Sequence, residues 1–165
     1  EDRIQKLIDI IVSRGGYVKD LHGQKNIYYQ VNATYFSALG EDERKMLLAR
    51  ALQIFMPGKP QIWYLDLFAG KNDHEAVQRA GESGHKEINR TNLSVDQIAE
   101  GLKKDVVQKQ LALIRMRNTH KAFSEGAEVT ISGEESSLEI RWDYDGAYAE
   151  LHVNFEEGTY TIESN

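Results

Sequence analysis

The spacing of hydrophobic residues divides the chain into two regions that meet near residue 122. Before that point, apolar residues recur every three or four positions in several stretches, which is the spacing of an amphipathic helix. This spacing predicts a first helix that ends at the glycine pair Gly15–Gly16. It also predicts helices over residues 41–56 and about 105–120. A capping box that begins at Ser94 predicts a shorter helix before the last of these.

After residue 122, apolar and polar residues alternate, which is the period of a strand with one buried face. Four runs show this alternation: Val129–Ile131, Leu138–Trp142, Ala149–Val153 and Tyr160–Ile162. Asp145 and Gly146 lie between the second and third runs, and this dipeptide is typical of a two-residue hairpin turn. Residues 123–165 are therefore predicted to form an antiparallel meander with Trp142 on its buried face.

One apolar run interrupts the helical region. Gln61–Phe68 follows a Pro-Gly-Lys-Pro turn, precedes a polar loop at residues 70–73, and is apolar at nearly every position. It predicts a strand covered on both faces, of the kind whose C-terminal loop forms the active-site rim of a (β/α) barrel. Such a strand needs neighbours for its backbone groups, and residues 26–36 suggest only an irregular extended segment. Either the chain self-associates through this strand, or the neighbouring strands lie in sequence outside the chain.

Composition and charge exclude several classes of protein. The net charge of −6 disfavours nucleic acids and anionic membranes as partners. The chain has no cysteine, which excludes disulfides and thiolate metal sites and fits a cytoplasmic location. No apolar run approaches the roughly 20 residues of a membrane span. We expect no cofactor and no metal. The chain begins at Glu1 rather than Met, from which we expect a longer parent protein.

Three segments of the first region, taken in order, resemble one enzyme family. They are YYQVNATYFSALGEDE, ARALQIFMPGKPQIWYLDLFAGKND and EINRTNLS. These segments are similar to the C-terminal part of sucrose phosphorylase and its close relatives in glycoside hydrolase family 13. The resemblance implies an α/β fragment. Residues 1–122 would be the last unit of a (β/α)8 barrel with acceptor-side loops, in which residues 61–67 form the eighth strand. Residues 123–165 would be the small antiparallel β domain that follows it.

The resemblance also implies where the chemistry lies. The family uses an Asp nucleophile, a Glu acid/base and a second Asp that stabilises the transition state, on the fourth, fifth and seventh barrel strands. By the resemblance all three precede Glu1, so the chain would contain no catalytic residue and would be inactive alone. Its parent would be a retaining α-glucoside phosphorylase that transfers glucose from glucosylglycerate or sucrose to phosphate. The sequences GHKEINRTNLS and WYLDLF favour the glucosylglycerate phosphorylase branch.

Four residues are predicted to contact the sugar or the phosphate. The resemblance places Tyr29 and Gln30 on a loop that shapes the acceptor and phosphate subsite. Their chemistry suits that role, because aromatic faces stack on sugars and an amide both donates to and accepts from hydroxyls. His85 and Lys86 are adjacent and suit an anionic acceptor, such as a glycerate carboxylate or a phosphate. The alternatives are an aromatic core cluster for the first pair and a solvated loop for the second.

Other polar and aromatic residues near the predicted rim are interpreted as structural. Asp66 and Asp73 are expected to cap loops or form ion pairs, because one strand end cannot build a barrel active site. Asn89 and Arg90 are expected to hold their loop through hydrogen bonds to backbone carbonyls. Trp63 is expected to pack in the core with its strand rather than to stack on a sugar.

Two other functions stay open from the sequence. One is an amylase-type hydrolase or transglucosylase, which would use water or a sugar as the acceptor. The other is a stand-alone carbohydrate-binding or interaction domain whose sugar platform would be Trp142, Tyr144 and Tyr148. In the preferred interpretation, the intact enzyme binds a sugar substrate and inorganic phosphate. Its acceptor would be glycerate, fructose or phosphorylated fructose. This interpretation also has no nucleic-acid or membrane partner, and it predicts a homo-oligomer formed through exposed strand edges.

Overall fold

The computed structural model describes residues 2–20 and 28–165, apart from the side chains of residues 20, 28, 29, 82 and 83. Its elements, in chain order, are α1 (Asp2–Ser13), β1 (Tyr17–Asp20), β2 (Tyr28–Asn32), α2 (Tyr35–Ala38), α3 (Glu43–Phe55), α4 (Tyr64–Leu67), α5 (His74–Ala80), a 3₁₀ segment (Gly81–Asn89), α6 (Val95–Gly101), α7 (Asp105–Thr119), a short 3₁₀ turn (Lys121–Phe123), β3 (Glu128–Gly133), β4 (Ser137–Tyr144), β5 (Ala147–Asn154) and β6 (Thr159–Ser164).

The chain divides into two compact units, each built from two separate stretches of sequence. The first unit comprises Glu1–Glu43 and Ile62–Lys104, and the second comprises Arg44–Gln61 and Asp105–Asn165. Helix α7 and nearly all of helix α3 therefore group with the C-terminal strands, a division that does not follow residue 122. The assignment of residues 1–122 to a catalytic barrel stays a prediction.

The helices predicted from hydrophobic spacing are confirmed. Helices α1, α3 and α7 lie where apolar residues recur at helical spacing. Helix α6 begins with the predicted capping box, in which the Ser94 hydroxyl accepts from the Gln97 backbone at 3.2 Å and the Gln97 side chain accepts from the Ser94 backbone at 2.8 Å. Within the described residues, no helix is both long and apolar enough to cross a membrane.

The predicted meander forms the sheet of the second unit. Strands β3, β4, β5 and β6 pair in sequence order, and every pair is antiparallel. Asp145 and Gly146 make the β4–β5 turn with φ angles of 45° and 79°, the left-handed conformation that a tight hairpin turn requires. The core of this unit consists mainly of buried apolar side chains from the two helices and the inner face of the sheet: Met46, Ala51, Ile54, Phe55, Val106, Val107, Leu113, Ala122, Ile140, Trp142, Ala149, Leu151 and Val153.

Trp142 is a core residue, as the alternation predicts. Only 7% of its surface is exposed, and its indole nitrogen donates to the Phe55 carbonyl at 2.7 Å. Its ring lies 5.4 Å from that of Phe123, and the Arg117 guanidinium lies 4.1 Å from its ring centroid. An indole enclosed in this way cannot act as the sugar platform of a stand-alone binding domain.

The prediction of a buried strand over Gln61–Phe68 is wrong. Residues 61–63 have no regular structure, and Tyr64–Leu67 forms the single-turn helix α4. Only Leu65 of α4 is buried, whereas Trp63 is 48% exposed, so the core position predicted for Trp63 is also wrong. The physical reason is that a strand needs a partner for its backbone groups, and no strand in the described part of the chain pairs with this segment.

The first unit contains a hairpin that the sequence did not predict. Strands β1 and β2 form an antiparallel pair, of which only β2 lies in the segment expected to be extended, residues 26–36. The apolar core of this unit is small and draws single residues from several short elements. It consists of Ile8, Phe36, Leu65, Ala69, Val77 and Ile88.

Candidate functional site

The β1–β2 hairpin gathers four polar or aromatic side chains on one face. Tyr17 lies opposite Asn32, and Lys19 lies opposite Gln30. Directly opposed residues of an antiparallel pair share a face, and so do residues two apart along one strand. We call this surface of Tyr17, Lys19, Gln30 and Asn32 the hairpin face. It contains one of the predicted site residues, Gln30.

A second predicted site residue lies against the hairpin face. The His85 ring, in the 3₁₀ segment, lies 5.3 Å from the Tyr17 ring, centroid to centroid. The structure therefore brings Gln30 and His85 to the same surface, although 54 positions separate them in the sequence. Lys86 follows His85 and is exposed. Tyr29 belongs to β2, but its side chain lies outside the described atoms.

Several buried polar atoms at this surface have no hydrogen-bond partner. They are Gln30 Oε1, Asn32 Nδ2 and His85 Nδ1. Asn32 is only 6% exposed. A buried polar atom left without a partner costs about 1–3 kcal/mol, and native proteins pair the great majority of such atoms. The hairpin face therefore has unused capacity to donate and accept hydrogen bonds, next to the exposed ammonium-bearing residue Lys19.

A polar network fixes the segment after the hairpin to the loop at residues 70–73. The Thr34 backbone donates to Asn72 Oδ1 at 2.7 Å, and the Asn72 backbone donates to the Ser37 hydroxyl at 3.0 Å. Ser37 in turn contacts Glu41 at 3.3 Å. Lys71 forms an ion pair with Glu41 at 2.5 Å, and its hydrogen bond lowers the pKa of that carboxyl. Asn72 Nδ2 is a fourth buried atom without a partner.

Asp66 and Asp73 have the structural roles that the sequence analysis assigned to them. Asp66 accepts from the Tyr35 backbone at 2.8 Å. Asp73 caps α5 by accepting from the Ala76 backbone at 2.8 Å, and its other oxygen accepts from the Thr91 hydroxyl at 3.0 Å. The backbone hydrogen bond from Ala76 is the main cause that lowers the pKa of Asp73, with that from Thr91 adding to it. Both carboxylates thus hold backbone segments in place.

The end of the 3₁₀ segment is also held by hydrogen bonds to backbone carbonyls. The Asn89 amide donates to the Ala33 carbonyl at 3.3 Å, which confirms the structural role predicted for it. The Trp63 indole donates to the Asn89 carbonyl at 2.8 Å. Arg90 instead pairs with Glu87 at 3.2 Å. These contacts fix the loop that carries His85 and Lys86.

Two cavities open beside the loop at residues 70–73. One of about 540 Å³ is lined by residues that include Arg79, Arg90 and Thr91. The other, of about 440 Å³, is lined by residues that include Lys71 and Asn72. The cations in these linings already have acidic partners: Lys71 with Glu41, Arg79 with Glu75, and Arg90 with Glu87. The unpartnered atoms of the hairpin face are therefore the better candidates for ligand contact.

Comparison with solved structures assigns the class of protein. The crystal structure of sucrose 6F-phosphate phosphorylase from Thermoanaerobacter thermosaccharolyticum matches with a TM-score of 0.90 and 37% identity, over 97% of this chain and 32% of that one. The chain therefore has the fold of the C-terminal region of a glucoside phosphorylase, in which helices precede a small antiparallel β domain. No protein-family model matches it.

Two curated relatives show a similarity in sequence to the same kind of enzyme. The chain is 49% identical over 162 residues to sucrose 6(F)-phosphate phosphorylase of Ilumatobacter coccineus, which is 96% of this chain and 31% of that protein. It is 36% identical over 167 residues to the enzyme of the same name from Thermoanaerobacterium thermosaccharolyticum, over 98% of the chain and 34% of the relative. The chain is homologous to the C-terminal part of these phosphorylases, and it spans about a third of their length.

The preference for the glucosylglycerate phosphorylase branch is wrong. The glucosylglycerate phosphorylase of Escherichia coli is only 26% identical over 153 residues, well below the 49% of the sucrose 6(F)-phosphate enzyme. The prediction rested on two short segments, GHKEINRTNLS and WYLDLF. Identity over nearly the whole chain outweighs them.

Sequence spacing alone did not reveal Tyr17, Lys19 and Asn32 as neighbours of Gln30. These residues meet through the register of an unpredicted hairpin and through the Tyr17–His85 ring contact. The alternation of Tyr17 with Lys19, and of Gln30 with Asn32, would have placed each pair on one face once the strands were recognised.

Proposed function

We propose that this chain forms the C-terminal part of a retaining α-glucoside phosphorylase that acts on sucrose 6F-phosphate. In that reaction the glycosidic bond between glucose and the fructosyl group breaks, and a phosphate oxygen bonds to the anomeric carbon. The products are α-glucose 1-phosphate and fructose 6-phosphate. The observation that carries the proposal is the 49% identity to a sucrose 6(F)-phosphate phosphorylase over 96% of the chain. A cytoplasmic location is part of the proposal.

The hairpin face supports an acceptor-side role. Gln30 Oε1 and Asn32 Nδ2 offer an acceptor and a donor without partners, which suits the hydroxyls of a sugar. Lys19 lies opposite Gln30, and His85 lies against Tyr17. A lysine and a histidine that both lie at one surface suit a phosphoryl group. Under this proposal these residues, with Tyr29 and Lys86, bind the acceptor or inorganic phosphate.

The proposal assigns the reacting carboxylates to another part of the enzyme. Retaining glycosidases need two carboxyl groups about 5–5.5 Å apart, one of which attacks the sugar. Asp66 and Asp73 each accept a hydrogen bond from a backbone N–H group. These hydrogen bonds hold the loops in place. We therefore propose that the chain alone is inactive.

The substrate is tested by a hybrid enzyme in which this chain replaces the C-terminal third of the Thermoanaerobacterium relative. We expect phosphate-dependent release of glucose 1-phosphate, with kcat/KM for sucrose 6F-phosphate exceeding that for sucrose and for glucosylglycerate by about tenfold or more, as one charge-assisted contact provides. A folded hybrid that prefers either other substrate contradicts the proposed substrate. One that transfers glucose to water without needing phosphate supports the hydrolase alternative instead.

The hairpin face is tested in the same hybrid. Lys19→Ala and His85→Ala should each lower kcat/KM for sucrose 6F-phosphate by about tenfold or more, because each removes a group assigned to the phosphoryl oxygens. The matched control is Lys103→Ala, which removes an exposed lysine that pairs with Glu100 in the same unit. Equal effects of Lys19→Ala and Lys103→Ala would contradict the role of the hairpin face.

A homo-oligomer formed through strand edges is also part of the proposal. Among the described residues, the β1–β2 sheet has two strands, so each strand has an outer edge with no partner strand in that part of the chain, which favours pairing between copies. We expect Val31→Lys, on β2, to lower the sedimentation coefficient measured at high concentration. Val95→Lys, at an 81% exposed helical position, is the control. A monomer at every concentration for the unaltered chain would contradict this part of the proposal.

A further inference from the structure

The outer face of the second unit's sheet brings three metal-ligating side chains together. Glu139 lies on β4 directly opposite His152 on β5, and Glu150 lies two residues before His152 on the same strand. One ligand atom from each of the three lies within 4.8 Å of the other two, and among the described residues this is the one such group. His152 Nδ1 is 3.4 Å from Glu139 Oε1, and its Nε2 is 3.8 Å from Glu150 Oε2.

The register of the sheet leaves this face with excess negative charge. Glu150 lies opposite Glu163 on β6, and Glu128 on β3 lies opposite Asp143 on β4. Like charges directly opposite each other destabilise a sheet. The basic side chain among these residues is Arg141, which bonds Asp143 through two nitrogens at 2.7 and 2.9 Å. Arg141 also donates to Glu150 at 3.0 Å, so a bound cation would offset the charge of the carboxylates on this face that Arg141 does not contact.

The neighbouring surface can complete a coordination shell. A cavity of about 310 Å³ is lined by Glu139 and His152, though not by Glu150, together with side chains of the same face that carry hydroxyl or amide oxygens: Ser137, Asn154, Thr159 and Thr161. Arg141 Nη1 donates to Glu150 Oε2 at 3.0 Å. That contact does not use up the carboxylate, since it has two oxygens and about four lone-pair sites.

We propose that Glu139, Glu150 and His152 bind a divalent transition-metal ion, with Zn²⁺ as the ion that suits them best. Imidazole nitrogen and carboxylate oxygen are both ligands of Zn²⁺, and in a site with three protein ligands water takes the fourth position. With bonds of about 2.0–2.2 Å, tetrahedral ligands lie about 3.4 Å apart. At present His152 Nδ1 faces Glu139 and His152 Nε2 faces Glu150, so binding through one nitrogen requires the side chains to rotate toward it from separations within 4.8 Å. The ion would join β4 to β5 and offset the acidic face.

The test uses the whole chain, stripped of metal with a chelator and titrated with Zn²⁺ by calorimetry and with Co²⁺ by visible absorption. We expect one ion per chain, a Co²⁺ spectrum typical of low coordination number, and a higher Tm with Zn²⁺. His152→Gln and Glu139→Gln should each weaken binding by about tenfold or more. Circular dichroism of each variant checks that the fold is retained.

The matched control is Glu163→Gln, which removes one charge from the same face without removing a ligand. It should change the affinity by less than about threefold, and His120→Gln, outside the group, should also leave binding intact. Absence of one-to-one binding overturns the proposal. So does equal weakening by Glu163→Gln and Glu139→Gln, which would mean diffuse attraction to an acidic surface. Because the assay needs no turnover, its outcome is independent of the proposed phosphorylase function.

Discussion

The second unit pairs its strands in a four-stranded sheet, whereas the first unit has a two-stranded hairpin and short helices. Their tryptophans reflect the difference: Trp142 is 7% exposed and Trp63 is 48% exposed. Among the described residues, buried side-chain atoms without a partner include Gln30 Oε1, Asn32 Nδ2, Asn72 Nδ2 and His85 Nδ1 in the first unit, and Arg117 Nη1 in the second. The first unit also exposes apolar side chains of α1, such as Ile4 at 66% and Leu7 at 58%.

This contrast separates a region built for stability from a region with unused binding capacity. The four-stranded sheet pairs its two inner strands on both sides and covers a buried apolar core, so its inward-facing residues mainly support the fold. The hairpin face keeps unpaired donors and acceptors, which is a cost to stability that a ligand can offset. The candidate substrate-binding residues therefore lie in the unit that contains the hairpin face.

The largest expected difference between the two units is in the unfolding free energy lost when Trp142 or Trp63 is replaced by alanine. Trp142→Ala should lower the free energy of unfolding by about 3–5 kcal/mol, the usual cost of truncating a buried aromatic residue. Trp63→Ala should cost less than about 2 kcal/mol, because its ring is half exposed and its loss mainly removes one hydrogen bond. Urea unfolding followed by circular dichroism measures both. Equal losses would contradict the assignment of these two side chains to different environments.

A smaller effect should distinguish Asn72 Oδ1, which accepts a hydrogen bond, from Asn72 Nδ2, which has no partner. Asn72→Ala removes the acceptor for the Thr34 backbone and should cost about 1–2 kcal/mol of unfolding free energy. Asn72→Asp keeps that acceptor and removes the unpartnered Nδ2 donor, so it should cost clearly less. The same unfolding assay compares them near neutral pH. A larger loss for the aspartate variant would show that Nδ2 has a partner in solution.

The smallest expected effect is on the pH dependence of the first unit. The pKa of folded Asp73 is lowered mainly by the Ala76 backbone donor. Its stabilising contribution is therefore present above the unfolded pKa and is lost as pH falls through the folded pKa. Asp73→Asn keeps a capping oxygen but does not titrate. Between pH 6 and about 3, the unaltered chain should lose more stability than this variant, and parallel pH curves for the two proteins would contradict the role of the ionised carboxylate.

Sequence patterns predicted most of the second unit, whereas in the first unit they predicted helices α1 and α6 but not the hairpin. Alternation and the Asp145–Gly146 turn determine the sheet register locally, so that even the opposition of Glu139 and His152 follows from them. The strand prediction for Gln61–Phe68 was wrong because an apolar run indicates burial, whereas strand formation depends on partner strands that no local pattern specifies. Gln30 and His85 were predicted as site residues with the help of a family resemblance. Their proximity depends on the Tyr17 ring, which spacing along the chain does not reveal.

We propose that this chain contributes acceptor-side residues to a phosphorylase whose reacting carboxylates lie elsewhere. The most direct test incubates the purified chain with sucrose 6F-phosphate and inorganic phosphate and measures glucose 1-phosphate over many hours. We predict no product above the enzyme-free control, while the hybrid enzyme is active under the same conditions. Sustained turnover by the chain alone, abolished by a single Asp or Glu substitution within it, would contradict the claim.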